Sequence, residues 1–293
     1  MLLTELKLFR DVASGRSLSR AAAANGISQP AASQQIQELE RRLGTALLDR
    51  STRPVGLTEA GRIYHEFCCD VLRREEECTA RLDQMRDAST GTLRVASIYS
   101  VALTEMPRVS AEFEAACPGV ELTVEYLRPD KVYEAVRNEW CDLGLVSYPE
   151  PERNIVVIPW RDERMAVALP PGHRLAERTT LRARDLDGDD FVAFDDDLRI
   201  RKDTDRFLRE QGVEVRVTMH FDNIQMVKEA VALGHGISIL PDRTMQHEIA
   251  QGRLKSARLG APGLVRPVGV VHRKRKAFNR AAKAFLQALP VAG

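Results

Sequence analysis

No apolar run in the sequence approaches the ~20 residues a bilayer-spanning helix needs, which excludes an integral membrane helix. The first eleven residues hold Glu5, Lys7, Arg10 and Asp11 and no long apolar core, so a secretory signal is not expected and the cytoplasm is. Cysteine is scarce: five residues, an odd number with Cys68 and Cys69 adjacent, which does not make a disulfide framework. No His or Cys pair has structural zinc spacing, and the acidic string Asp187, Asp189, Asp190 and Asp195–Asp197 lacks that of a calcium loop, so no metal is expected. There is neither a G-x-S-x-G elbow nor a phosphate loop, and Gly234-His235-Gly236 lacks the third glycine of a dinucleotide fingerprint. With no nucleophile–base or metal constellation, neither catalytic residues nor a cofactor are expected, and the chain does not read as an enzyme.

What is present is an ordinary folded composition, 293 residues with 44% hydrophobic and 29% charged, long enough for roughly two domains. The net charge of +1 hides a gradient. Residues 1–58 carry eight Lys/Arg against five Asp/Glu, residues 59–90 five against eight, and residues 266–293 seven against none. A basic front end on an acidic body permits a polyanion-binding module.

The first sixty residues read as short helices. Leu2, Leu6, Phe9 and Ala13 share one helical face, and Gly15 can close that helix. Ser17 suits the N-cap of a second helix, Leu18 to Asn25, and Ser28 that of a third running to about Arg42, with Gly44 beyond. Two helices joined by a tight turn at Gly26 make a helix-turn-helix candidate, Leu18 to Gln37. With Ala32, Ile36 and Leu39 turned inward, the third helix shows Gln29, Pro30, Ser33, Gln34 and Gln37 outward, and Ser28 opens it. Gln can bond adenine bidentately and Ser can reach either kind of base edge, so this face suits a major groove. The polar loop Asp49–Leu57 then reads as a wing whose Arg50 and Arg53 could meet phosphate or enter a minor groove; two solvated loop arginines are the alternative.

From Arg62 to Thr90 there is no Gly or Pro, which allows one helix of about 29 residues and roughly 44 Å, with Thr58 a plausible N-cap and Gly91 a stop. Ile63, Phe67, Val71, Cys78, Leu82 and Met85 follow heptad-like steps, so a second subunit's helix is the expected partner, with packing on its own chain as the alternative. After Gly91, short apolar runs alternate with helical patterns. These runs include Leu93–Ile98, Val120–Tyr126, Leu143–Ser147, Ile155–Trp160, Met165–Leu169 and Val268–His272; the helical patterns include Leu103–Ala116, Lys131–Glu139, Leu198–Gln211 and Asn223–Leu233. An α/β body with largely parallel sheets is expected.

Leu6-x-x-Phe9, Ser17–Ala22, Ser28–Ile36, Leu39-Glu40, Leu43-Gly44, Leu47–Arg50 and Leu57–Gly61 together resemble the LysR-type transcriptional regulator family. Leu93–Val95, Met106-Pro107, Cys117–Val120, Cys141–Leu145 and Ala232–Pro241 are similar to its effector domain. Asn25 departs from the pattern, standing where the family usually buries a leucine, and Leu48 and Ala32 are smaller than usual. The family's peroxide-sensing branch carries a late cysteine pair; here no cysteine follows Cys141. The resemblance implies an N-terminal winged helix-turn-helix (1–58), a long linker helix that dimerises (59–90), and a C-terminal α/β effector domain (91–293). That domain would have two Rossmann-like lobes of the type 2 periplasmic-binding-protein kind, about 91–161 with 266–293, and about 162–265.

A small effector would sit between the lobes over strand ends and helix N-termini, where the polar candidates suit an organic anion. That singles out Ser97, Tyr99, Ser100, Thr104, Arg128, Ser147, Arg199, Asp222 and Asn223, with turn and capping hydroxyls the alternative for Ser97 and Ser100. Arg199, Arg201 and Lys202 are expected to neutralise Asp195–Asp197 on a solvated face. The basic run His272–Lys276 is expected at a helix start or subunit contact. The implied function is sequence-specific, effector-modulated transcription regulation on double-stranded DNA bearing an interrupted inverted repeat, as a homodimer and by resemblance a homotetramer. The competing reading is a solute-binding module without a DNA role, against which residues 1–61 argue.

Overall fold

Capping residues set the opening helices. In the computed structural model, which describes residues 3–15, 17–52, 54–86, 91–274, 276 and 278–289, α1 spans Leu3–Gly15, α2 Leu18–Ala24 and α3 Gln29–Leu43. Leu2, Arg53, Thr90 and Arg275 therefore lie outside the described residues, as does the side chain of Met85. Ser17 accepts a hydrogen bond from the backbone N–H of Arg20 and Ser28 from that of Ala31, each satisfying a first-turn donor. Gly44 closes α3 at φ 68°, a left-handed conformation that glycine adopts without strain. Asn25 is half-buried yet paired: its Nδ2 donates to Asp11 Oδ2 at 2.8 Å and to the carbonyl of Ala21 at 2.9 Å. Those bonds offset the desolvation that a leucine there would not incur.

The chain divides into two compact units, Met1–Ala88 and Ser89–Gly293. In the first, Leu6, Phe9, Val12, Ile36 and Leu39 form a core with Leu47, Leu48, Cys68 and Leu72. The wing is the short antiparallel pair β1 (Leu48–Asp49) and β2 (Gly56–Leu57). Glu40 pins its base, accepting from the N–H groups of Leu47 (2.8 Å) and Leu48 (3.0 Å). The long helix α4, Glu59–Arg86, belongs to this unit, and the Thr58 hydroxyl accepts from Gly61 N–H at 2.9 Å as the expected cap. Gly61 is required sterically, since an added Cβ would fall 2.0 Å from the carbonyl oxygen of Leu47.

Two stripes divide the apolar surface of α4. Cys68 and Leu72 are fully buried against the core that includes α1, whereas Ile63 (65% exposed), Phe67 (43%) and Leu82 (50%) face outward. Packing on the chain itself and an unpartnered apolar seam thus coexist on one helix.

The second unit runs β3 (Gly91–Ile98), α5 (Tyr99–Ala116), β4 (Val120–Leu127), α6 (Pro129–Arg137), β5 (Leu143–Ser147), β6 (Ile155–Leu169), β7 (Thr180–Leu181) and β8 (Asp190–Phe194). It continues with α7 (Arg199–Glu210), β9 (Arg216–Phe221), α8 (Ile224–Ala232), β10 (Ser238–Pro241), α9 (Gln246–Ala250), β11 (Lys255–Leu259), β12 (Val265–Arg273) and α10 (Arg280–Ala288). Two separate apolar cores result. One gathers β3, β5, α5, α6 and α10; the other gathers β8, β10, α7 and α8 with the end of β6. These are the two lobes.

The sheet is mixed rather than largely parallel. Strand β3 pairs parallel with β4 and β5, and β8 with β9, but β12 runs antiparallel to both β5 and β6. The reason is that β6 and β12 carry the chain out of the first lobe and back, side by side and opposed in direction. Strand β6 is one 15-residue strand where the sequence suggested two. The interruption, Arg161-Asp162-Glu163-Arg164, looks like a polar loop, but Arg161 and Glu163 are buried alternately with exposed Asp162 and Arg164, the period of a strand. Helix α5 begins at Tyr99 rather than Leu103, which brings Ser100 into its first turn. No helix among the described residues is long and apolar enough to cross a membrane.

Candidate DNA-binding face and effector cavity

On α3, Ala32, Ile36 and Leu39 are buried, Gln29, Pro30, Gln34 and Gln37 are exposed, and Ser33 is half-buried beside them. Among the described residues, no side-chain hydrogen bond ties Gln29, Gln34 or Gln37 to the chain, so their amides are available to base edges. Ser28 is spent on its cap. Arg50 is tethered, its Nη2 donating to Glu40 Oε2 at 2.9 Å, and so braces the wing rather than standing free. Arg41 holds the Glu38 carboxyl below its ordinary value through a hydrogen bond, which mutes the acidic group nearest this face.

In the second unit a cavity opens where four helices begin. Its walls include Ile98, Tyr99 and Ser100 at the start of α5, Arg128 and Pro129 at α6, Leu198 to Ile200 at α7, and Asp222 to Ile224 at α8. Its volume is about 60 Å³. Ile98, Arg128 and Leu198 make no side-chain cap bond; only Asn223 caps its helix, accepting from Met226 N–H. Three helix starts without side-chain caps therefore meet at one space, α5 and α7 with free first-turn N–H groups and α6 with Pro129, and their dipoles favour negative charge there.

Seven of the nine candidates, Tyr99, Ser100, Arg128, Ser147, Arg199, Asp222 and Asn223, line this cavity. Ser97 and Thr104 do not. Ser97 is fully buried with its hydroxyl on the Ile98 carbonyl, and Thr104 points back along α5 to the carbonyls of Ser100 and Val101. Both hydroxyls serve local backbone; for Ser97 a local hydroxyl role is the alternative the sequence left open.

Sequence reasoning missed Arg266. It lines the cavity from β12 while 2% exposed, and its Nη1 donates to the Ser100 hydroxyl at 2.9 Å. Its Nε and Nη2 bond Glu163, which also accepts from Arg161 Nε at 3.0 Å. Arg161 Nη2 reaches Glu105 at 2.9 Å, and Arg243 meets the same carboxylate oxygen at 2.9 Å. Three arginines thus share two carboxylates; the buried members, Arg161, Arg266, Glu105 and Glu163, balance in charge, and Arg243 joins them from an exposed position. Burial works to raise the Glu163 carboxyl, but Arg266 and Arg161 outweigh it and hold the group below its ordinary value of 4.5. Arg266 stands two residues ahead of the apolar run Val268–His272, and that proximity was the available signal. The apolar wall residues, such as Phe194 and Leu198, carry no such mark.

The acidic run also differs from expectation. Asp195 and Asp197 face Arg128, not the arginines that follow them. Arg201 instead bonds Asp205 one helical turn on, and Arg199 reaches Asp203 and Glu150. Once α7 starts at Arg199, i,i+4 partners are nearer than the preceding loop.

A winged helix-turn-helix on one unit and a two-lobed α/β body with an anion-favouring cavity on the other define a DNA-binding protein governed by a small ligand. Residues 3–62 match the family model for the bacterial regulatory helix-turn-helix protein, lysR family, and residues 86–291 that for the LysR substrate binding domain. The chain belongs to the LysR-type transcriptional regulator family, DNA-binding regulators with an effector-binding domain. It is 29% identical over 283 residues to the RuBisCO operon transcriptional regulator of Allochromatium vinosum, covering 97% of this chain and 93% of that one. Among solved structures, a full-length OxyR variant from Pseudomonas aeruginosa superposes with TM-score 0.75 at 21% identity, covering 99% of this chain and 94% of that one. The regulatory domain of Synechocystis PCC6803 CcmR in complex with 2-PG gives 0.62 at 25% identity, covering 68% and 96%.

Proposed function

We propose that two copies of this chain, joined through the outward seam of α4, read an interrupted inverted repeat with α3 and respond to a small organic anion held at the converging helix starts. A two-fold dimer presents two recognition helices to two half-sites, and a dimer of dimers extends the pattern. The divisions follow the reading from sequence: 1–58 for DNA, 59–90 for assembly, 91–293 for effector, with lobes of about 91–161 plus 266–293 and about 162–265. Tyr99, Ser100, Arg128, Ser147, Arg199, Asp222 and Asn223, with Arg266, form the effector site. Such a regulator turns over no substrate and works where the DNA is, in the cytoplasm. The observation that carries the anion reading is the meeting of three helix starts without side-chain caps at a cavity lined by Arg128, Arg199 and Arg266. 2-PG, the ligand in the CcmR complex, is a first compound to try.

DNA readout is tested on α3. Gln29→Ala and Ser33→Ala should each weaken cognate binding by about 1–3 kcal/mol and relax preference at one or two base pairs. Selected operator sequences and titrations measure both. Unaltered affinity and site preference in both variants would mean that another element reads the bases.

A further inference from the structure

Arg128 stands on the first lobe, one residue ahead of α6, and the carboxylates opposite it belong to the second. Its Nη2 lies 2.6 Å from Asp197, and its Nη1 3.5 Å from Asp195 and 3.6 Å from Asp222. Asp130, on its own helix, is 3.5 Å away. Asp195 is itself steadied by His220, whose Nδ1 lies 2.7 Å from Oδ1. A second pair crosses in the opposite sense: Arg199 of the second lobe lies 3.4 Å from Glu150 of the first. Arg128, Arg199 and Asp222 all line the same cavity.

We propose that Asp195, Asp197 and Asp222 latch the two lobes together through Arg128 in the ligand-free protein, and that an anionic effector opens the latch by taking that guanidinium. The inference rests on reading the cavity as the effector site. An isolated exposed ion pair contributes little, but here one cation faces three carboxylates across a seam, a network rather than a pair. Three carboxylates face the one guanidinium, so an anion that takes Arg128 must displace them. An incoming anion competes with Asp195, Asp197 and Asp222 for Arg128, and the latch thereby sets the concentration at which effector acts. Since an effector shifts an equilibrium only by its differential affinity, the strength of this network is part of the response. Because the groups are partly exposed, added salt weakens the latch.

The test uses the full chain in two forms beside wild type, Arg128→Met and the triple substitution Asp195→Asn, Asp197→Asn, Asp222→Asn. In the absence of ligand, amide hydrogen exchange over residues 98–104 and 194–202 should quicken at least five-fold in both, with exchange in the lobe cores unchanged. Wild-type exchange rates in both would overturn the latch. Inorganic phosphate then serves as the probe, read by calorimetry and thermal shift. The triple variant, with Arg128 released, should bind it at least ten-fold more tightly than wild type, and Arg128→Met should not. Faster exchange without tighter phosphate binding would support the latch and contradict the reading of the cavity as an anion site, so the two failures are distinguishable.

Discussion

Glu163→Gln is expected to destabilise the second unit by about 3–5 kcal/mol, the magnitude typical when one partner of a buried ion pair is removed. Arg266 and Arg161 are both almost fully buried, and the substitution takes from Arg266 its carboxylate partner while Arg161 keeps only Glu105. Chemical denaturation of the full chain measures the loss. The double substitution Glu163→Met, Arg266→Met should cost less than Glu163→Gln alone, because replacing a whole buried pair by apolar bulk is often neutral. The pH profile supplies a second signature. The folded carboxyl sits below its ordinary 4.5, so the stability it contributes is present above that value and is lost as pH falls through the depressed folded one. Glu163→Gln should remove that part of the acid limb. A loss below ~1 kcal/mol, the size of an exposed pair, would mean that the network is not holding the crossing strands.

Phe67→Asp is expected to break the dimer. Phe67 lies on the outward stripe of α4 with Ile63, Cys78 and Leu82, while the stripe that packs on α1 runs separately through Cys68 and Leu72. A dimer carries the substitution twice. At ~1.5–3 kcal/mol for each buried phenylalanine, the loss is about 3–6 kcal/mol before the cost of burying two charges. Sedimentation should show monomer at concentrations where wild type is dimeric, with circular dichroism unchanged because the inner stripe is intact. Sedimentation identical to wild type would remove the outward seam as the interface.

Local signals made much of this legible from sequence. Ser17, Ser28, Thr58 and Gly44 mark helix ends because caps satisfy backbone groups that nothing else nearby reaches, and all four act as read. The outward Gln/Ser face of α3 follows from the 3.6-residue period alone. What escaped was set by partners distant in sequence. Arg161 and Glu163 look like a polar loop because their burial depends on Arg266, about a hundred residues on. Arg50 looked free because Glu40, its partner, caps the wing at the same time. Asp195 and Asp197 were assigned to the nearest arginines, whereas the fold brings Arg128 from another lobe. Ser97 and Thr104 had the right residue type beside the right helix, yet their hydroxyls are consumed by adjacent carbonyls. A hydroxyl's direction is not written in its neighbours.

The most direct test of the account is operator affinity of the full chain, measured with and without each of a panel of small organic anions, for wild type and Ser100→Ala. Ser100 lines the cavity, accepts from Arg266, and lies in a different unit from α3. At the usual coupling of about 1–3 kcal/mol, an active anion should shift wild-type affinity five-fold or more. In Ser100→Ala that shift should vanish while anion-free operator binding stays at the wild-type value. An identical anion response in the two proteins would contradict the placement of the effector at the start of α5.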